Sequence, residues 1–192
     1  KGEFIAPIDA DDIWYLNNIA AQVQVMQASE AKVGLVYSWS VDIDKNNNLT
    51  GQFRANKIIG DVLIVLIAHN FIGNASATMI RRCCLDEVGL YNQDFIKQKA
   101  QGCEDWDLYL RIAERYKFQT VPQFLVGYRK IDNSMSCDYQ TMAKSHSLTM
   151  TAVQYRHPEI PTIVYSLSSS NLYMHFAHQS NVHQRHDITR YW

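Results

Sequence analysis

A short apolar run, Phe4-Ile5-Ala6-Pro7-Ile8, passes directly into the acidic cluster Asp9-Ala10-Asp11-Asp12. Such a junction leaves few architectures open. An apolar run closed by charges reads as a buried strand whose C-terminal end reaches the surface of a sheet, and α/β proteins bind ligands at the C-terminal ends of their strands. Carboxylates gathered there make a divalent-cation site. Hard cations such as Mg²⁺ prefer oxygen ligands, keep several waters and share their remaining positions with substrate phosphates, so one or two aspartates suffice. The same cluster also suits a helix start, with Asp11 or Asp12 capping a helix that begins near Ile13.

A second acidic site opens the segment from Gly102 to Tyr116. At about 100° per residue, Leu108, Ile112, Tyr116, Tyr109, Ala113, Trp106 and Leu110 fall on one broad arc, the pattern of a helix lying on a core. Asp105 falls inside that arc. Glu104, Asp107, Arg111, Glu114 and Arg115 fall outside it, where Asp107 can pair with Arg111 one turn on. A carboxylate turned toward the protein in the first helical turn is either a buried cap or a working group. Desolvation raises its pKa and the helix dipole opposes the rise, so the sequence leaves its strength as a base open.

Elsewhere the pattern alternates between strand and helix. Ile13 to about Ser29 reads as a helix, Gly34 to Val41 as a strand, Asp44 to Asn48 as a polar turn and Leu49 to Arg54 as a returning strand. The apolar stretch from Ile58 to Ala68 reads as a buried helix or strand, and Ser76 to Arg81 as a strand. Leu85 to Val88 makes a short helix stopped by Gly89. Asn92 to Gly102 is polar, either a mobile lid or an ordinary surface connection. Phe118 to Val121 and Phe124 to Lys130 read as strands divided by Pro122. Helices follow from Thr141 to about Arg156 and from Thr162 to about Gln184, separated by a junction that holds Pro158 and Pro161.

Taken in order, these segments resemble the family 2 glycosyltransferases, inverting enzymes of the nucleotide-diphospho-sugar transferase (GT-A) fold. The resemblance runs from Gly2 to Asp12, through Asn74 to Arg82 and Leu85 to Tyr91, to Gly102 to Leu108 and Val126 to Arg129. It implies an α/β fold: an incomplete GT-A mixed sheet flanked by helices, with a helical C-terminal tail. Residues 1–139 would be the C-terminal portion of the transferase domain and residues 140–192 a helical extension. It further implies that Asp9 and Asp11 form the DXD motif, with Asp11 the direct ligand of Mn²⁺ or Mg²⁺ and Asp9 nearer the nucleotide ribose, and that Asp105 is the general base. Asn74 and Ser76 stand where relatives line the donor or acceptor pocket. Glu104 joins them, and Trp106 is either a sugar-stacking platform or a core residue. The implied partners are a nucleotide-diphospho-sugar donor, a UDP-sugar foremost, and a saccharide or lipid-linked acceptor. Such acceptors keep peripheral membrane association open, at the inner face of the plasma membrane, for an otherwise cytoplasmic protein. In the family a strand, a helix and a further acidic strand end precede the DXD strand. This chain starts after them, and the expectation is a piece of a larger product that binds nucleotide poorly by itself.

The remaining features narrow the classes. A net charge of −1 gives no electrostatic argument for nucleic acid. No apolar run approaches the roughly 20 residues of a membrane span. Cys83, Cys84, Cys103 and Cys137 lack C-x-x-C spacing, which fits reduced thiols packed as small apolar groups. His175, His178, His183 and His186 fall in separate pairs with no cysteine, a tail rather than a zinc site. Many relatives carry a histidine soon after the Tyr128-Arg129 position. Here Lys130 to Ser136 has none, and Asp132 is either a substitute oxygen ligand or a loop residue. Other classes are a non-catalytic carbohydrate-binding domain of the same fold and a Mg²⁺-dependent NTPase, which lacks its G-x-x-x-x-G-K-[ST] cradle.

Overall fold

A computed structural model describes residues 2–131 and 138–182. Asp132, Cys137, His183 and His186, and the expected helix end at Gln184, lie outside the described residues.

The frame is a parallel pair of strands, β3 (Val33–Ile43) and β6 (Lys117–Arg129). Parallel strands need cover on both faces, and β3 is buried along nearly its whole length. Antiparallel strands β1 (Phe4–Ile5), β2 (Ile13–Trp14), β4 (Leu49–Arg54) and β5 (Thr78–Arg81) complete a six-stranded mixed sheet in the order β1-β5-β3-β6-β2, with β4 on the C-terminal half of β3. Helices are α1 (Asn18–Ala28), α2 (Leu63–Ala68), α3 (Arg82–Val88), α4 (Asp94–Lys97), α5 (Glu104–Ala113), α6 (Tyr139–Arg156) and α7 (Thr162–Val182).

The larger core joins Leu35, Tyr37, Ile80 and Phe118 of the sheet to Leu66, Cys84, Leu110, Met150 and Tyr165, drawn from α2, α3, α5, α6 and α7. On the other face, Met26 of α1 packs on Val33, Val36, Met79, Val121 and Leu125. A side chain of the size of Phe118 contributes roughly 1.5–3 kcal/mol when buried. The result is the expected α/β architecture, a mixed sheet flanked by helices and followed by a helical C-terminal part.

Some local expectations change. Ile13 does not start a helix: with Trp14 it pairs with Gly127 and Val126, and α1 begins only at Asn18, after Asn17 in a left-handed conformation (φ 69°). The Trp14 indole N–H donates to the Ser76 carbonyl at 2.7 Å, so a long-range bond holds the segment extended. Neither Asp11 nor Asp12 caps α1. Pro122 does not divide a strand either. Val121 faces Ser38 and Phe124 faces Trp39, so Pro122 and Gln123 form a bulge in one 13-residue strand, where proline's missing donor costs no ladder bond.

The ambiguous stretch before His69 resolves as helix α2, and Ala75–Ala77 form a 3-10 turn that delays β5 to Thr78. Helix α3 starts earlier than expected but stops at Gly89 (φ 83°), whose N–H donates to the Leu85 carbonyl at 2.9 Å. The polar connection from Asn92 to Gly102 contains α4 and is anchored by buried Phe95 and Ala100. Cys83, Cys84 and Cys103 are free thiols. Among the described residues no helix is long and apolar enough to cross a membrane.

Candidate active site

The acidic loop leaves β1 as a turn, closed by the Asp12 N–H donating to the Asp9 carbonyl at 3.1 Å. Its shape is set from a distance. The Ser76 hydroxyl accepts from the Asp9 N–H at 3.0 Å and donates to Asp12 Oδ2 at 2.6 Å, while the Arg129 N–H donates to Asp12 Oδ1 at 2.8 Å. Burial raises the Asp12 carboxyl above its usual range, and the bonds from Ser76 and Arg129 oppose that rise. The Arg129 guanidinium adds a second clasp, donating to the carbonyls of Asp11 and Asp44, each at 2.6 Å, and to Asn47 Oδ1 at 2.7 Å. With Asp12 committed to this framework, the exposed carboxylates of the loop are those of Asp9 and Asp11.

Asp105 stands in the first turn of α5. The entry to that helix is fixed by the Cys103 N–H on the Ser145 hydroxyl at 3.1 Å and by the Gly102 N–H on Glu104 Oε2 at 2.7 Å. Asp105 Oδ1 accepts from the Trp106 N–H at 2.6 Å. Desolvation lifts the Asp105 carboxyl to about 6, helped by the negative charges of Glu104 and Asp9 and opposed by the Trp106 bond. Asp9 is also raised, by partial desolvation first and then by Asp12 and Asp11. The strand-end cluster and the helix-start carboxylate therefore lie close enough to sense each other's charge. Tyr91 belongs to the same neighbourhood: burial, then Asp105, Asp9 and Glu104, push its phenol up to about 12.

The other expected site residues have internal duties. Asn74 is buried; its Oδ1 accepts from the Ala77 N–H and its Nδ2 donates to the Ser40 hydroxyl, both at 3.0 Å. Ser76 is fully buried and acts on the loop as described. Trp106 is 5% exposed, donates its indole N–H to the Leu66 carbonyl at 2.8 Å and packs on the His146 ring. Glu104 caps its own entry turn. Asp107, expected on the outer face, is instead 3% exposed and held by Arg111 at 2.9 Å. Its place outside the apolar arc did not signal this, because the neighbours of Asp107 come from elsewhere in the chain, Asn92, Phe95 and Gln98 around α4 and Leu148 and Ala152 of α6. Tyr91 and the structural role of Asp12 were likewise missed; the sequence signal for Tyr91 was its place just beyond the helix stop at Gly89.

A divalent cation fits the loop in one particular way. Among the described residues no group of three His, Cys, Asp or Glu side chains is placed to hold a metal. Asp9 and Asp11 present exposed carboxylates whose mutual repulsion a cation would relieve. A hard cation that takes its other ligands from diphosphate oxygens and water needs no more than this.

Residues 1–181 match the model of a family described as glycosyltransferase-like family 2. Over 130 residues the chain is 27% identical to an uncharacterized glycosyltransferase of Methanocaldococcus jannaschii; the aligned stretch covers 67% of this chain and 42% of that protein. The chain thus matches less than half the length of that relative. With residues 1–181 of its 192 matched, the chain belongs to glycosyltransferase-like family 2.

Proposed function

We propose that the chain serves metal-dependent, inverting transfer of a sugar from a nucleotide-diphospho-sugar, a UDP-sugar foremost, to a hydroxyl of a saccharide or lipid-linked acceptor, in cell-surface polysaccharide or glycolipid synthesis. What supports this reading is the match to glycosyltransferase-like family 2 over residues 1–181, joined to a desolvated Asp105 whose carboxyl is lifted to about 6. The acceptor hydroxyl attacks the anomeric carbon from the face opposite the diphosphate. The bond to the diphosphate breaks with its electron pair, and the hydroxyl proton passes to Asp105. Asp11, with Asp9 beside it, would hold Mn²⁺ or Mg²⁺, which when bound would neutralise the charge that grows on the leaving group. Asp12, Ser76 and Arg129 hold the loop in shape and take no part in bond making.

Calorimetric titration of UDP with Mn²⁺, followed by a transfer assay in the full-length protein, tests the assignment. Asp105→Asn is expected to keep donor binding and lose about 10²- to 10⁴-fold in transfer. Asp11→Asn is expected to lose metal-dependent donor binding. Full activity in either variant removes the corresponding role.

A further inference from the structure

We infer that the cleft between α6 and α7 binds a single uncharged sugar ring, with His146 at its floor accepting a hydrogen bond from a sugar hydroxyl. None of Asp9, Asp11 and Asp105 lines this cleft, so its ligand is independent of the transfer reading above. The two helices pack together across the short 157–161 junction. Helix pairs joined in this way ordinarily seal their seam with apolar side chains. Here the borders of the seam are polar: Ser147, Thr151 and Gln154 recur at helical spacing on α6, and Thr162, Ser166 and Ser169 do so on α7. They border an open cleft of about 290 Å³, near the lower limit of roughly 300 Å³ for small-ligand sites.

The lining selects for a neutral ligand. No Lys, Arg, Asp or Glu lines the cleft, so nothing in it neutralises a charged group. Among the described residues, Ser169 alone of these six makes a side-chain hydrogen bond, to the Tyr165 carbonyl at 3.2 Å. The other five keep their donors and acceptors for a ligand. Buried Met150 and Tyr165 supply the apolar wall, the tyrosine hydroxyl being taken up by the His157 carbonyl at 3.4 Å.

The floor holds a histidine with one nitrogen to spare. A thioether accepts and never donates, so the Ser168 proton goes to Met150 Sδ at 3.5 Å and the Ser168 oxygen receives the His146 Nε2–H at 2.9 Å. That tautomer leaves Nδ1 as an acceptor. Burial, which pulls the imidazole down to about 4, keeps it unprotonated at neutral pH. Among the described residues nothing donates to Nδ1, although His146 is 1% exposed and lines the cleft. A buried acceptor without a donor is costly, and a ligand hydroxyl removes that cost. A sugar ring meets each demand, with neutral hydroxyls that donate and accept and C–H faces for Met150 and Tyr165.

The test is ligand-observed NMR on the full-length protein with the methyl glycosides of glucose, galactose and N-acetylglucosamine, beside glucuronate and glucosamine as charged counterparts. At least one neutral glycoside is expected to bind with a Kd of about 1 mM, as a ligand of this size allows, and the charged counterparts about tenfold more weakly. Ser166→Phe fills the cleft from an exposed helical position and should abolish binding at an unchanged Tm. Thr151→Val removes one hydroxyl at constant volume and should weaken binding about 2- to 10-fold. In ¹⁵N-labelled protein the Nδ1 resonance of His146 should shift as the glycoside is added, a response that loss of packing alone does not give. A parent that binds no neutral glycoside at about 20 mM overturns the inference and leaves solvent to serve Nδ1. Binding that survives Ser166→Phe in a folded variant puts the sugar elsewhere, and equal binding of the charged counterparts removes the selectivity of the lining; either result also overturns it.

Discussion

Ser76 and Asp12 meet at 2.6 Å, hydroxyl to carboxylate, and through this bond the entry to β5 dictates the shape of the acidic loop. Because Ser76 also receives the Asp9 N–H, one buried oxygen governs the two ends of the turn. Ser76→Ala leaves the Asp12 carboxylate with the Arg129 N–H as its remaining hydrogen bond. The expected cost is about 1–3 kcal/mol of stability, with weaker nucleotide binding as the loop relaxes. Denaturant midpoints and a nucleotide titration read the two effects, and an unchanged midpoint would show that the bond does not hold the loop.

The pH dependence of transfer should carry the mark of Asp105. As a base it works ionised, and its carboxyl is lifted to about 6 by burial and by Glu104 and Asp9. The acid limb of kcat/KM is expected to bend near pH 6. A bend near 4, where an ordinary aspartate titrates, would mean that Asp105 is not the base.

Stability should respond to the same group with the opposite preference. A carboxyl whose folded pKa lies above its unfolded value binds its proton more tightly in the native protein. Its contribution is full below the unfolded pKa of 3.8 and is lost as pH rises through about 6. Asp105→Asn removes that loss, so the variant should exceed the parent in stability at pH 8 by on the order of 2 kcal/mol, with the gap closing toward pH 4. Urea unfolding of both proteins at the two pH values checks the sign.

Trp106 distinguishes core from platform. Its indole N–H serves the Leu66 carbonyl and its ring lies on His146, so Trp106→Phe should cost about 1–3 kcal/mol while sugar KM values stay unchanged. A large KM change at constant Tm would instead put the ring against substrate.

What the sequence disclosed follows a physical division. Elements specified by their own residues were legible. Strand β4 runs from Leu49 to Arg54 as its turn residues indicate, with Asn47 taking the left-handed conformation (φ 68°) before it, and Gly89 stops α3. The arc of α5 placed Asp105 toward the protein, and burial then outweighed the helix start in setting its pKa. Elements specified by distant partners were not legible. Ile13 and Trp14 are extended because β6 and Ser76 hold them, Pro122 is tolerated because β3 accommodates a bulge, and Asp107 lies among residues of the α4 region and α6. The acidic cluster announced itself, but which of its carboxylates would be consumed by the framework depended on Ser76 and Arg129.

Arg129 closes β6, and its N–H holds Asp12 from 117 residues away in the chain. Contacts of such sequence separation form late, since the loop they close must be ordered first. The acidic loop cannot take its working shape in a nascent chain that has not yet laid β6 beside β3. On the proposed reading, nucleotide binding at this loop therefore reports that β6 has been laid beside β3.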